Sequence, residues 1–169
     1  RNMSRREIAQ ELECNFNASG ETVIHGDDLN LLIEAVEDPK YKSGFDRNYW
    51  IWEEPQSDSE YIAVADVARG DGSDFSVVQV TDIRTMTQVA EYQGKITPDQ
   101  FAPLLYNIAT EYNDALLIIE NNSLGIGVLS RLQEMEYKNL YYSVRSTHEY
   151  VDELTAQSIG GVPGFTMSM

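Results

Sequence analysis

Two stretches decide the fold: Tyr61-Ile62-Ala63-Val64-Ala65-Asp66 and Leu116-Leu117-Ile118-Ile119-Glu120. Each is an apolar run of strand length, too short for an ordinary helix. Such unbroken runs are expected of strands covered on both faces. Both runs end on a carboxylate. If the strands lie parallel and adjacent, Asp66 and Glu120 converge at the carboxyl edge of the sheet, where open α/β sheets build their sites. A buried, unpaired carboxylate costs roughly several kcal/mol, and two close carboxylates repel. A divalent cation relieves both problems, because hard cations take oxygen ligands. Two such ions about 3.5–4 Å apart divide the work of hydrolysis, one activating water and one stabilising the leaving oxygen. A plainer role stays open, since an acid at a strand end also caps helices or faces solvent.

Outward from Asp66, the turn Arg69-Gly70-Asp71-Gly72-Ser73 suits a tight reversal, because glycine tolerates positive φ. Asp74 then starts the returning strand and can face Asp66 across the pair, although Asp is also common in turns. The spacing predicts strands over Tyr61–Val67, Phe75–Thr81 and Met86–Tyr92, joined by short connections into an antiparallel meander. Thr97-Pro98-Asp99-Gln100 opens a helix, with Thr97 and Gln100 as a capping box and Pro98 at the first helical position. Phe101, Leu104, Leu105, Ile108 and Tyr112 line its apolar face. After the Ala115–Ile119 run, Ser123 is placed to cap another helix, with Val128, Leu129, Leu132 and Met135 facing inward. Gly125 and Gly127 fall inside it, where glycine costs about 1 kcal/mol against Ala. Close approach of helix to sheet is the expected reason. Leu140–Val144 is a further strand, and the pattern after His148 is weak.

The order strand-strand-strand-helix-strand-helix-strand predicts an α/β fold: an antiparallel three-strand meander plus parallel strands in one mixed sheet flanked by helices. Ribonuclease H-like domains have this arrangement. So do the halves of actin-like ATPases, and order alone does not separate them. Upstream, Ser4-Arg5-Arg6-Glu7 has capping-box form and opens a short helix to about Cys14, ended by Asn17-Ala18-Ser19-Gly20. A second short helix is expected from near Asp28, carrying Leu29, Leu32, Ile33 and Val36 and stopped by Asp38-Pro39. Lys40–Asn48 reads as a linker. Tyr49–Trp52 reads as a short strand closed by Pro55.

Composition bounds the function classes. With 42% hydrophobic residues the chain can build a core, and no apolar run of about 18 residues is present to span a membrane. One cysteine, Cys14, makes no internal disulfide and fits a reducing compartment. The net charge of −16, from 28 acids against 12 bases, argues against a general polyanion-binding surface. It leaves room for a metal-dependent site, since bound cations reverse the local sign. His25 and His148 have no partner at metal spacing and read as surface residues. No Walker A phosphate loop is present.

At these residues the chain resembles the large terminase subunit of tailed bacteriophages. Ala65-Asp66-Val67-Ala68-Arg69-Gly70-Asp71-Gly72-Ser73-Asp74-Phe75-Ser76 is similar to that family's first nuclease motif. Ile118-Ile119-Glu120-Asn121-Asn122-Ser123-Leu124-Gly125 is similar to the second. Gly164-Phe165-Thr166 resembles the segment before the family's final strand and helix, and Ser4–Phe16 the stretch that closes the upstream ATPase domain. The resemblance implies that residues 1–40 are the end of that ATPase domain and a linker. Residues 41–169 would be a partial ribonuclease H-like nuclease domain, incomplete at the C-terminus, since the family's third essential Asp is expected beyond Met169.

By the same resemblance Asp66 and Glu120 match catalytic metal ligands, and Asp74 a supporting acid that holds a metal or its water. The implied activity is metal-dependent DNA endonuclease chemistry with Mg2+ or Mn2+, two ions in the complete domain. The implied partners are double-stranded DNA, the portal ring and the small terminase subunit, in the host cytoplasm. Two rivals remain: an actin-like ATPase or kinase half-domain that binds nucleotide phosphate, and a non-catalytic acidic interaction module.

Overall fold

The computed structural model describes residues 26–144 and 150–166. The expected Ser4 helix, Cys14, His25, His148 and Met169 lie outside the described residues. The chain divides into two compact units, Arg1–Asp38 and Pro39–Met169. In the first, helix α1 spans Gly26–Glu34, as the apolar spacing predicted. Its Leu32 and Ile33, and Val36 just beyond it, are exposed.

The second unit is built on a six-stranded mixed sheet. Its strands are β1 (Tyr41–Ser43), β2 (Tyr49–Ile51), β3 (Tyr61–Asp66), β4 (Ser76–Asp82), β5 (Thr87–Gly94) and β6 (Leu116–Ile119). Their order across the sheet is β1-β2-β5-β4-β3-β6. Strands β3, β4 and β5 form the antiparallel meander that the short connections predicted. Strand β6 returns parallel to β3 after helix α2 (Pro98–Glu111), because only a crossover can bring it alongside in that direction. Helix α3 (Gly125–Glu134) follows. The chain then runs beside β6 at Leu140, enters the short strand β7 (Tyr142–Ser143), turns through helix α4 (Glu153–Ser158) and pairs back as β8 (Val162–Pro163).

Helices α2 and α3 share one core with the inward residues of the sheet. Phe101, Leu105 and Ile108 of α2, Tyr112 just after it, and Val128, Leu129 and Leu132 of α3 pack with Ala63, Ala65, Leu117 and Ile119. Met135 is half-buried at the end of α3. The small alanines of β3 let the helices approach, and the bulk comes from the helices. Thr97 caps α2 through its backbone, and its hydroxyl meets the Gln100 side chain at 3.2 Å.

Three expectations are corrected. Lys40–Asn48 is not a linker: it holds β1 and the turn to β2, with Gly44 at φ +85°. As an edge strand with no buried side chain, β1 carries no apolar alternation to read. Nor are β3 and β6 covered on both faces. Every second residue of β3 is buried, whereas Val64 is 50% exposed and Ile62 half-buried. A continuous apolar run does not distinguish one covered face from two. Finally, α4 lies in the weakly patterned tail. Asp152 caps it by accepting the Thr155 N–H at 3.1 Å, and only Ala156 is buried, so no periodicity marks it. Among the described residues no helix is long and apolar enough to cross a membrane.

Candidate functional site

The parallel register pairs Ile62 with Leu116, Val64 with Ile118 and Ala65 with Ile119. Asp66 and Glu120 are the residues that follow the last of these pairs. Side chains alternate across a strand, so both lie on the face opposite Ala65 and Ile119, away from the two helices. Asp66 is exposed and Glu120 half-buried. Both residues therefore stand at the carboxyl edge of the sheet, on the face that the helices leave uncovered.

The hairpin after Asp66 is held rigidly at two points. Ser76, fully buried, accepts the Ala68 N–H at 3.0 Å and so ties the two strand ends together. Gly70 has φ +83°, and a Cβ there would lie 2.6 Å from the Ile96 carbonyl group. The loop is pressed onto the chain entering α2, in a conformation only glycine takes easily. The result is a cleft of about 440 Å³ between the hairpin and the start of α3, with Asp66, Asp74, Arg69, Phe75 and Leu124 in its walls. Asp74 shares this cleft with Asp66; Glu120 does not line it.

Charge in and around the cleft is unbalanced. Arg69 pairs with Asp71 at 3.1 Å, and Lys95 sits 5.3 Å from the Phe75 ring centre. Among the described residues no Lys or Arg pairs with Asp66, Asp74 or Glu120. Ser73 donates to Asp74 at 3.1 Å, and Asn122 donates to Glu120 Oε2 at 3.0 Å. Acids without a cationic partner among the described residues suit a hard divalent ion, which takes oxygen ligands. Among the described residues no group of three or more His, Cys, Asp or Glu side chains gathers to hold one.

The start of α3 departs from expectation. Asn122, not Ser123, satisfies the first helical N–H groups: its Oδ1 accepts from Leu124 at 3.0 Å and Gly125 at 2.8 Å. Ser123 is exposed. Both are residue types that cap helices, and the spacing did not choose between them. The two glycines also separate. A Cβ on Gly125 would lie 1.9 Å from the Glu120 carbonyl oxygen, whereas one on Gly127 would meet nothing within 4 Å. Gly125 thus permits the close helix–strand approach that was expected, and Gly127 has no such duty. Gly164-Phe165 runs parallel to the end of β6, with Phe165 N–H donating to Ile119 at 2.7 Å and Asn121 N–H donating to Phe165 at 2.8 Å. The Gly-Phe-Thr segment therefore stands one strand beyond Glu120.

No family model matches the chain. Among solved structures it is similar to the large terminase nuclease from thermophilic phage G20c, at 19% identity and TM-score 0.51, over 59% of this chain and 51% of that one. It is similarly related to the same nuclease with bound magnesium, at 18% identity and TM-score 0.51 over 62% of this chain and 52% of that one. With bound zinc the values are 18%, 0.52, 60% and 57%. The chain spans about half the length of these structures. The likeness establishes the fold alone: a mixed α/β sheet flanked by helices, shared with these nucleases.

Proposed function

We propose that this chain is part of the metal-dependent endonuclease domain of a phage DNA-packaging terminase large subunit. The observation that supports the reading is the register of β3 against β6, which pairs Ala65 with Ile119, the residues just before Asp66 and Glu120. Asp66 and Glu120 would hold the cation. Asp74, which lines the same cleft as Asp66, would hold a metal or a metal-bound water. Magnesium or manganese, when bound, supplies the positive charge that polarises the phosphodiester and lowers the barrier to attack by water. The chain's own part would be to present carboxylates at the strand ends and to leave that face of the sheet open to a duplex.

The solved nucleases with magnesium, cobalt or zinc bound favour a divalent ion in this fold. The further acid that a two-ion reaction needs would lie downstream of Gly164-Phe165-Thr166, where the chain already runs parallel to β6. Double-stranded DNA is the proposed substrate. The portal ring and the small terminase subunit are the proposed partners of the whole protein in the host cytoplasm, and residues 1–40 the proposed end of its ATPase domain.

The test is Mn2+-dependent nicking of supercoiled plasmid by the full-length protein. Asp66→Asn and Glu120→Gln should each abolish it, by at least on the order of 100-fold. Cutting that survives both substitutions would remove these two residues from the reaction.

A further inference from the structure

Asn122 has two tasks that share one amide group. Its oxygen accepts the N–H groups of Leu124 and Gly125, which opens α3. Its nitrogen donates to Glu120 Oε2 at 3.0 Å. The network decides which end is which: the end that faces two N–H groups must be the acceptor, so the end that faces Glu120 is a donor. The amide cannot rotate without breaking the cap. Half-burial of Asn121, Asn122 and Glu120, and the near-contact of Gly125 with the Glu120 carbonyl, leave the unit little room to rearrange.

One oxygen of Glu120 is therefore held by a neutral donor. Lys or Arg in that place would neutralise the carboxylate and compete with a bound cation, whereas an amide orients it and leaves its charge intact. Among the described residues Glu120 Oε1 has no hydrogen-bond partner.

We propose that Asn122 is a positioning residue that pins Glu120 Oε2 and leaves Oε1 to a divalent cation shared with Asp66. This rests on the metal-site reading of Asp66 and Glu120. Hydrogen bonds to metal-ligating groups are worth roughly 10-fold or more in metal affinity. The cap makes the device more than local: the helix that packs the core also aims the carboxylate.

The experiment is a thermal-shift titration of the 169-residue chain with MnCl2. Four proteins are compared: wild type, Asn122→Ser, Glu120→Gln and the double variant. Serine retains a cap acceptor but its short side chain withdraws the donor from Glu120. The expected result is an Mn2+ midpoint raised about 10-fold in Asn122→Ser, with the metal-free melting temperature little changed. Whatever response remains in Glu120→Gln should be unchanged by adding Asn122→Ser, since the two act as one unit. Ser123→Ala should behave as wild type.

A wild-type midpoint in Asn122→Ser overturns the positioning role and leaves the metal site standing. An equal loss in both backgrounds overturns it too, because the effect then does not pass through Glu120. A wild-type protein blind to Mn2+ overturns the metal-site reading, and this inference with it. If Asn122→Ser is too unstable to titrate, the side-chain amide resonances of Asn122 serve instead. They should move on Mg2+ addition in wild type and stay still in Glu120→Gln. Resonances that stay still in wild type while those of Asp66 move overturn the proposal.

Discussion

The two ends of the central sheet treat their acids in opposite ways. At the amino end of β3, Asp82 is buried and satisfied on every side. The Arg84 N–H donates to it at 2.8 Å, and the Arg84 guanidinium reaches Ser59 at 2.7 Å and Asp58 at 2.6 Å. Burial pushes the Asp82 carboxyl up. Hydrogen bonds from Ser59 and from the Arg84 and Thr85 backbone, with the Arg84 charge, outweigh it and bring the group below the ordinary value. At the carboxyl end, Asp66, Asp74 and Glu120 share one edge, and among the described residues none has a cationic partner. The protein has the means to neutralise an acid at a strand end and uses them at one end only. The difference separates an acid tied into the fold by hydrogen bonds from acids that, among the described residues, have no cationic partner.

The sharpest way to break this contrast is to remove one acid from each end. Asp66→Asn should abolish Mn2+-dependent nicking by the full-length protein while leaving the melting temperature unchanged or higher, since repulsion from Glu120 is relieved. Asp82→Asn should do the reverse, lowering the melting temperature and sparing the site. Equal losses of stability at the two ends would dissolve the distinction.

Next in size is Gly125→Ala, which forces a Cβ against the Glu120 carbonyl and should cost at least about 3 kcal/mol in urea unfolding. A smaller effect is expected from acid. A carboxyl whose folded pKa is depressed contributes stability above its unfolded value, and that contribution is lost as pH falls through the folded value. The stability advantage of wild type over Asp82→Asn should therefore shrink below about pH 4, followed by melting temperature against pH. The smallest effect is a gain. Gly127→Ala, with open space around it, should stabilise the chain by up to about 1 kcal/mol in the same unfolding assay. If it also weakens nicking, that exposed turn of α3 lies against the substrate.

Much of this was legible in advance where burial imposes a period. The meander, α2 with its Phe101-Leu105-Ile108 face and α3 write their inward residues at regular spacing, and β6 shows as a continuous apolar run. What escaped notice buries little. Strand β1 sits at the sheet edge, and α4 buries Ala156 alone. Its one signal was Asp152 three residues before Thr155, a cap without a stripe behind it. The open sheet face was misjudged for a related reason: valine and isoleucine suit a pleated surface whether or not a second layer covers it.

The candidate site divides along the same line. The chain by itself determined that two core strands end in acids, that a glycine hairpin follows the first and that a small-residue helix start follows the second. Those are local properties, set by propensity and by the steric needs of single residues. Only the tertiary structure decided that Asp66 and Glu120 share a face, because a slip of one residue in the β3–β6 register would turn one of them under the helices. It also showed Asn122 rather than Ser123 capping α3, a local choice between two neighbouring residues of types that both suit a cap. Register and contact are relations between segments more than 50 residues apart, and no local pattern encodes them.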